Sequence, residues 1–82
     1  MNQGITELDV HGMTTYQAKI CISSSLKKAK SDIYVLRIIH GFHSGTKIKE
    51  MIRKEFKGNP KVKRIEVSMN QGITDLILRD LF

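Results

Sequence analysis

Asp9 and His11 stand two residues apart in Leu8-Asp9-Val10-His11-Gly12. In an extended strand that spacing puts both side chains on one face. A carboxylate beside an imidazole fixes its tautomer and orients the ring as an acid or a base. The other two histidines lie in His40-Gly41-Phe42-His43-Ser44-Gly45, just before Thr46. Both stretches follow runs that read as strands. If those strands are parallel neighbours, one carboxylate and three imidazoles can meet at the sheet edge where ligands tend to bind in α/β folds. His40, ending the second strand, is then the candidate partner acid or base. Gly41 and Gly45 permit positive φ and close backbone approach. The amides opening the next helix suit a phosphate, and Ser44 or Thr46 can add a hydroxyl or cap that helix. Each position taken singly also suits an ordinary strand-to-helix turn; their concurrence points to a site. Asp9, His11, His40 and His43 are acceptable zinc ligands as well. No HxxxH or CxxC spacing accompanies them, so metal-free chemistry is the first expectation.

Charge favours a polyanionic partner. Residues 47–64 carry Lys47, Lys49, Arg53, Lys54, Lys57, Lys61, Lys63 and Arg64 against only Glu50 and Glu55, an excess equal to the whole chain's +6. A basic segment beside a candidate site is the footprint of nucleic acid. Helical i,i+4 pairs such as Glu50 with Lys54 would neutralise part of it, but not the surplus lysines.

The elements that must position these residues follow from periodicity. Residues 5–10 read as a first strand. Thr14 and Gln17 form a capping box for a helix reaching about Lys30, with Ala18, Ile22, Leu26 and Ala29 as its buried stripe and Cys21 on its flank. Ile33-Tyr-Val-Leu-Arg-Ile-Ile39 reads as a strand buried on both sides. A second helix is expected from about Thr46 to Lys57, with Ile48, Met51, Ile52 and Phe56 inward. Gly58 is expected to stop it in the left-handed conformation, with Pro60 preventing continuation. Val62–Val67 and Ile73–Arg79 read as strands joined by a turn at Met69-Asn70-Gln71-Gly72. The order β-α-β-α-β-β predicts a two-layer α/β (α+β) sandwich on a four-stranded mixed sheet, one domain over residues 1–82. Met-Asn-Gln-Gly-Ile-Thr occurs twice, at 1–6 and 69–74, and both copies precede a strand.

Composition sets the remaining bounds. The 82 residues suffice for one small core. A lone cysteine cannot bridge internally, which favours a reducing, cytoplasmic setting. The opening residues show no signal-peptide pattern, and no segment is apolar enough to span a membrane. A monomer is the expected state.

Leu8-Asp9-Val10-His11-Gly12-Met13-Thr14, followed by Ala18, resembles the opening Leu-Asp-x-His-Gly-x-Thr motif of the small MutS-related (Smr) domain. Arg37-Ile38-Ile39-His40-Gly41 resembles the strand leading into that family's second motif, and Ile48-Lys49 and Val62–Leu78 fit its later elements. The resemblance covers residues 5–79. It implies a fold like the C-terminal domain of bacterial translation initiation factor 3, nucleic-acid binding, and in several members nicking or cleavage of DNA or RNA. It carries catalytic roles onto Asp9 and His11, and a place in the second motif onto His40 and Gly41. The chain departs from the family's Gly-x-Gly, because Gly41-Phe42-His43 puts histidine at the second glycine; His43-Ser44 matches a His-Ser pair that some members carry further along.

The expected function is an endonuclease in which Asp9 orients His11 and His40 assists. No cofactor is needed on RNA, where a base activates the 2′-OH; on DNA a divalent metal is an option. The alternative is a non-catalytic module docking on nucleic acid or the ribosome. In either case Gly41, Phe42, His43, Ser44, Gly45, Thr46, Lys47, Lys49, Arg53, Lys54 and Lys57 are the expected contact surface, with Phe42 able to stack on one base.

Overall fold

A computed structural model describes residues 4–42 and 45–80 of the chain. The elements are β1 (Ile5–Asp9), α1 (Thr15–Lys28), β2 (Val35–Ile39), α2 (Gly45–Phe56), β3 (Arg64–Val67) and β4 (Ile73–Ile77). They form one sheet in the order β1-β2-β4-β3. β1 and β2 are parallel, whereas β4 runs antiparallel to both β2 and β3. This is the mixed four-stranded sheet with two helices that the element order predicts. No helix among the described residues is long and apolar enough to cross a membrane.

The capping box forms as expected. Gln17 N–H donates to Thr14 Oγ1 at 3.1 Å, and Thr14 N–H donates to Gln17 Oε1 at 3.0 Å. Two of the first-turn donors that a helix leaves open are thereby satisfied. Ala18, Ile22 and Leu26 then recur at i, i+4 and i+8 and are buried against Ile48, Ile52 and Phe56, the same spacing on α2. Each such isoleucine or leucine contributes about 1.5–3 kcal/mol on burial. Cys21 and Met51 are half-buried beside this core.

Three expectations need correction. α1 ends at Lys28, so Ala29 is its C-cap rather than part of the stripe. Gly58 is not among the positive-φ residues. The stop after Phe56 is a turn in which Asn59 N–H donates to Phe56 O at 3.1 Å and Asn59 Oδ1 accepts from Lys61 N–H at 2.9 Å, a side chain mimicking a backbone turn. Finally, β2 is not buried on both faces. Leu36, Ile38 and His40 lie under the helices with Thr74 and Leu76, while Val35, Arg37 and Ile39 on the opposite face are half-buried. That open face carries the cross-strand row Glu7, Arg37, Asp75 and Glu66, with Arg37 donating to both Asp75 oxygens at 3.0 and 3.2 Å. An arginine in the middle of an apolar run is accommodated because its face meets a carboxylate instead of a second helix layer.

The glycines of the repeated hexapeptide play matching parts. Gly4 O accepts from Tyr34 N–H and Val35 N–H at 2.7 and 3.0 Å, where β2 begins. Gly72 O accepts from His40 N–H and Gly41 N–H at 2.9 and 3.0 Å, where β2 ends. One copy leads in the parallel neighbour and the other the antiparallel one, so the two carbonyls tie down opposite ends of the same strand.

Candidate active site

The carboxyl ends of β1 and β2 lie side by side, with Asp9 paired to Ile39 and Val10 N–H donating to Ile39 O at 2.9 Å. Beyond Val10 the chain turns: Met13 N–H donates to Val10 O at 3.1 Å, and Gly12 takes φ +80°. A side chain at Gly12 would be strained in that left-handed conformation. The turn presents His11 back toward Asp9. One carboxylate oxygen, Oδ1, accepts from His11 N–H at 3.1 Å and from the ring Nδ1 at 2.5 Å. Both side chains stay exposed, at 69% and 53% for His11 and Asp9.

The hydrogen bond from the His11 ring, with a smaller one from the His11 backbone, holds the Asp9 carboxyl below its ordinary range. Asp9 is therefore ionised at neutral pH. A neutral His11 donating through Nδ1 keeps Nε2 as its lone-pair nitrogen, and a protonated His11 keeps Nε2–H as a donor. In both states the working nitrogen is Nε2.

His40 does not join this pair. It is the residue after Ile39, so strand alternation turns it to the helix-covered face, where it is buried. Its Nε2 lies 2.8 Å from Thr74 Oγ1 and its Nδ1 lies 3.1 Å from Gly41 O. A neutral ring donating through Nδ1 to the carbonyl and accepting through Nε2 from the hydroxyl satisfies both nitrogens. His40 thus offers no free nitrogen at the surface. Among the described residues no three His, Cys, Asp or Glu side chains converge as a metal-holding group.

Gly41 lies next to His11: a Cβ built on it would stand 3.5 Å from His11 Cβ, and its φ is +78°. Phe42 follows, exposed. His43 and Ser44 lie outside the described residues. Gly45 opens α2, one residue earlier than expected, with Thr46 and Lys47 exposed in its first turn. Lys49, Arg53 and Lys57 follow at i, i+4 and i+8 along one flank leading away from the site. Among the described residues none of Lys47, Lys49, Arg53, Lys54 and Lys57 pairs with a carboxylate. Glu50 does not neutralise Lys54 as expected; the acid that pairs on this helix is Glu55, 3.0 Å from Lys19 of α1.

The sequence reading missed the third wall. The β3–β4 turn docks on the glycine loop through the Gly72 carbonyl, and Asn70 Oδ1 braces it by accepting from Gly72 N–H at 2.9 Å. A Cβ on Gly72 would stand 3.3 Å from Gly41 Cα and 3.4 Å from Phe42 Cε2. The signal was present as the second copy of the hexapeptide, which ends at Thr74.

The family model of the Smr domain matches residues 8–74, which include Asp9, His11, His40 and Gly72. No curated protein matches the chain. Among solved structures, the Smr domain of Thermus thermophilus MutS2 superposes with a TM-score of 0.80 at 24% identity, over 92% of this chain and 99% of that one. That likeness is one of fold.

Proposed function

The chain belongs to the Smr domain family, and on that premise we propose that it binds nucleic acid and cleaves a phosphodiester bond with His11 as the acid-base group. The observation that carries this is the single Asp9 oxygen engaging both the ring and the backbone of His11. It orients Nε2 and balances the charge when the ring takes up a proton. On RNA, Nε2 removes the 2′-OH proton, the 2′ oxygen attacks phosphorus to form a 2′,3′-cyclic phosphate, and the P–O5′ bond breaks as solvent water protonates the departing 5′ oxygen. No metal is required for that step. On DNA a water must be activated instead, for which a divalent ion is the ordinary means. Gly41, Gly45 and Thr46 offer backbone and hydroxyl groups to the phosphate. Lys47, Lys49, Arg53, Lys54 and Lys57 neutralise the strand along α2. His40 serves by holding Thr74 and the Gly41 carbonyl in place.

Labelled RNA and DNA, incubated in EDTA with wild type and with His11→Ala, test this. Cleavage of RNA by wild type and its loss in the variant are expected; equal cleavage by both would refute the mechanism.

One observation favours a second reading, a module that docks on nucleic acid or the ribosome without cutting it. Cleavage uses a base and an acid, and His11 is the one described histidine with a free nitrogen. Salt-sensitive binding by wild type with no cleavage of either polymer would establish that reading instead.

A further inference from the structure

The large hydrophobic side chains left exposed among the described residues are Tyr16, Ile20, Phe42, Val67 and Met69. Four of the five gather at one end of the sheet. Tyr16 lies in the first turn of α1, Phe42 just past β2, Val67 at the end of β3, and Met69 in the turn to β4. This is also the end that carries Asp9 and His11. Phe42 stands closest to the chemistry. It follows Gly41, whose other side is occupied by His11, and its Cε2 edge rests by Gly72, 3.4 Å from where a Cβ would stand. One edge of the ring thus lies near Gly72 while 68% of the residue remains in water. An exposed aromatic ring at the start of a cationic helix suits a flat, apolar group carried on an anionic chain.

We propose that Phe42 stacks an unpaired base of the strand whose phosphodiester lies against Asp9 and His11, so that the site takes unpaired nucleotides rather than closed duplex. In a duplex the base faces are already covered by their neighbours, and reaching Phe42 requires unstacking. In a single strand the faces are free, and every base has one, so the contact tolerates sequence. Lys47 and Lys49, in the first two turns of α2, supply phosphate contacts on the same strand. The inference rests on the proposed nucleic-acid reading for the identity of the partner, and the experiment separates the two.

A labelled 2′-O-methyl oligonucleotide cannot be cut by 2′-OH attack. Its affinity is measured as a single strand, as a duplex, and with the bases removed to leave an abasic backbone of equal length. Wild type is expected to prefer the single strand over both others. Phe42→Ala is expected to weaken single-strand binding by about 5- to 150-fold, the range of one base–aromatic stack, and to leave abasic binding within about twofold. The chain has no tryptophan, so Phe42→Trp introduces a lone indole. Its fluorescence should be quenched by the single strand and not by the abasic backbone. If wild type binds the strands but Phe42→Ala changes nothing, or weakens abasic and normal strands alike, stacking is overturned while phosphate binding stands. If wild type binds none of the three, both readings fall.

Discussion

Thr74→Val tests whether His40 is part of the frame. Thr74 is fully buried and its hydroxyl is the partner of His40 Nε2 at 2.8 Å. Valine keeps the volume and the β-branch, so strand propensity and packing change little. What changes is that His40 Nε2 faces a methyl group in the core. Leaving a buried polar group unsatisfied costs about 1–3 kcal/mol. In a domain of this size each kcal/mol lowers the Tm by about 4–8 °C, so a fall of at least about 4 °C is expected. Thr6→Val, at an exposed position of β1, is the control and should stay within about 0.5 kcal/mol of wild type. Urea and thermal unfolding of both variants read the difference. A Thr74→Val protein as stable as wild type would show that the hydroxyl carries no such bond, and the assignment of His40 as a positioning residue would fail. The variant should also keep its RNA cleavage, below its own Tm, far better than His11→Ala does.

Three further outcomes are expected. Replacing Lys49, Arg53 and Lys57 together by Gln should flatten the dependence of log affinity on log salt by about 0.7 for each single-strand phosphate that is no longer neutralised; an unchanged slope would remove that flank from the binding surface. Asp9→Asn should destabilise the protein at neutral pH in a way that acid erases. The native carboxyl is held below its ordinary value, so its stabilisation is complete above the unfolded pKa and is lost as pH falls through the native one. Unfolding midpoints of wild type and variant should converge on acidification below about pH 4, and a pH-independent gap would contradict the bond from His11. Gly72→Ala should cost about 1–3 kcal/mol because its Cβ meets Gly41 Cα at 3.3 Å, whereas Gly58→Ala, with nothing within 4 Å and no positive φ, should be neutral or stabilising by up to about 1 kcal/mol; equal effects of the two would mean the turn does not press on the site loop.

The sequence made local features legible where one segment decides them. Thr14 and Gln17 cap α1 by contacts three residues apart, and the i, i+4 stripes of both helices declare their buried sides. The Asp9–His11 pair belongs to this class, since both residues lie within one strand end and its turn. What pairing decides could not be read in advance. Asp9 and His40 end adjacent strands and look like neighbours, but Asp9 is level with Ile39, and one further step reverses the face. A single residue of register therefore separates a surface histidine from a core histidine. Arg37 was similarly opaque: its run looks buried on both sides until Asp75, 38 residues later, supplies the opposite charge.

The repeated hexapeptide shows how the start of the site loop, at His40 and Gly41, is held by backbone alone. Gly4 and Gly72 each present one carbonyl to two successive amides, at the two ends of β2. For Gly4 the requirement is conformational, at φ +84°; for Gly72 it is clearance from Gly41 and Phe42. The second clamp fixes the backbone of His40 and Gly41 without touching the imidazole of His11 or the open side of Phe42. Holding these segments before a ligand arrives spares the cost of ordering them on binding. A flexible strand loses its own freedom when it docks, so the protein's share of that cost has to be small. Backbone held by backbone, with a histidine and a phenylalanine projecting from it, meets that requirement at this end of the sheet.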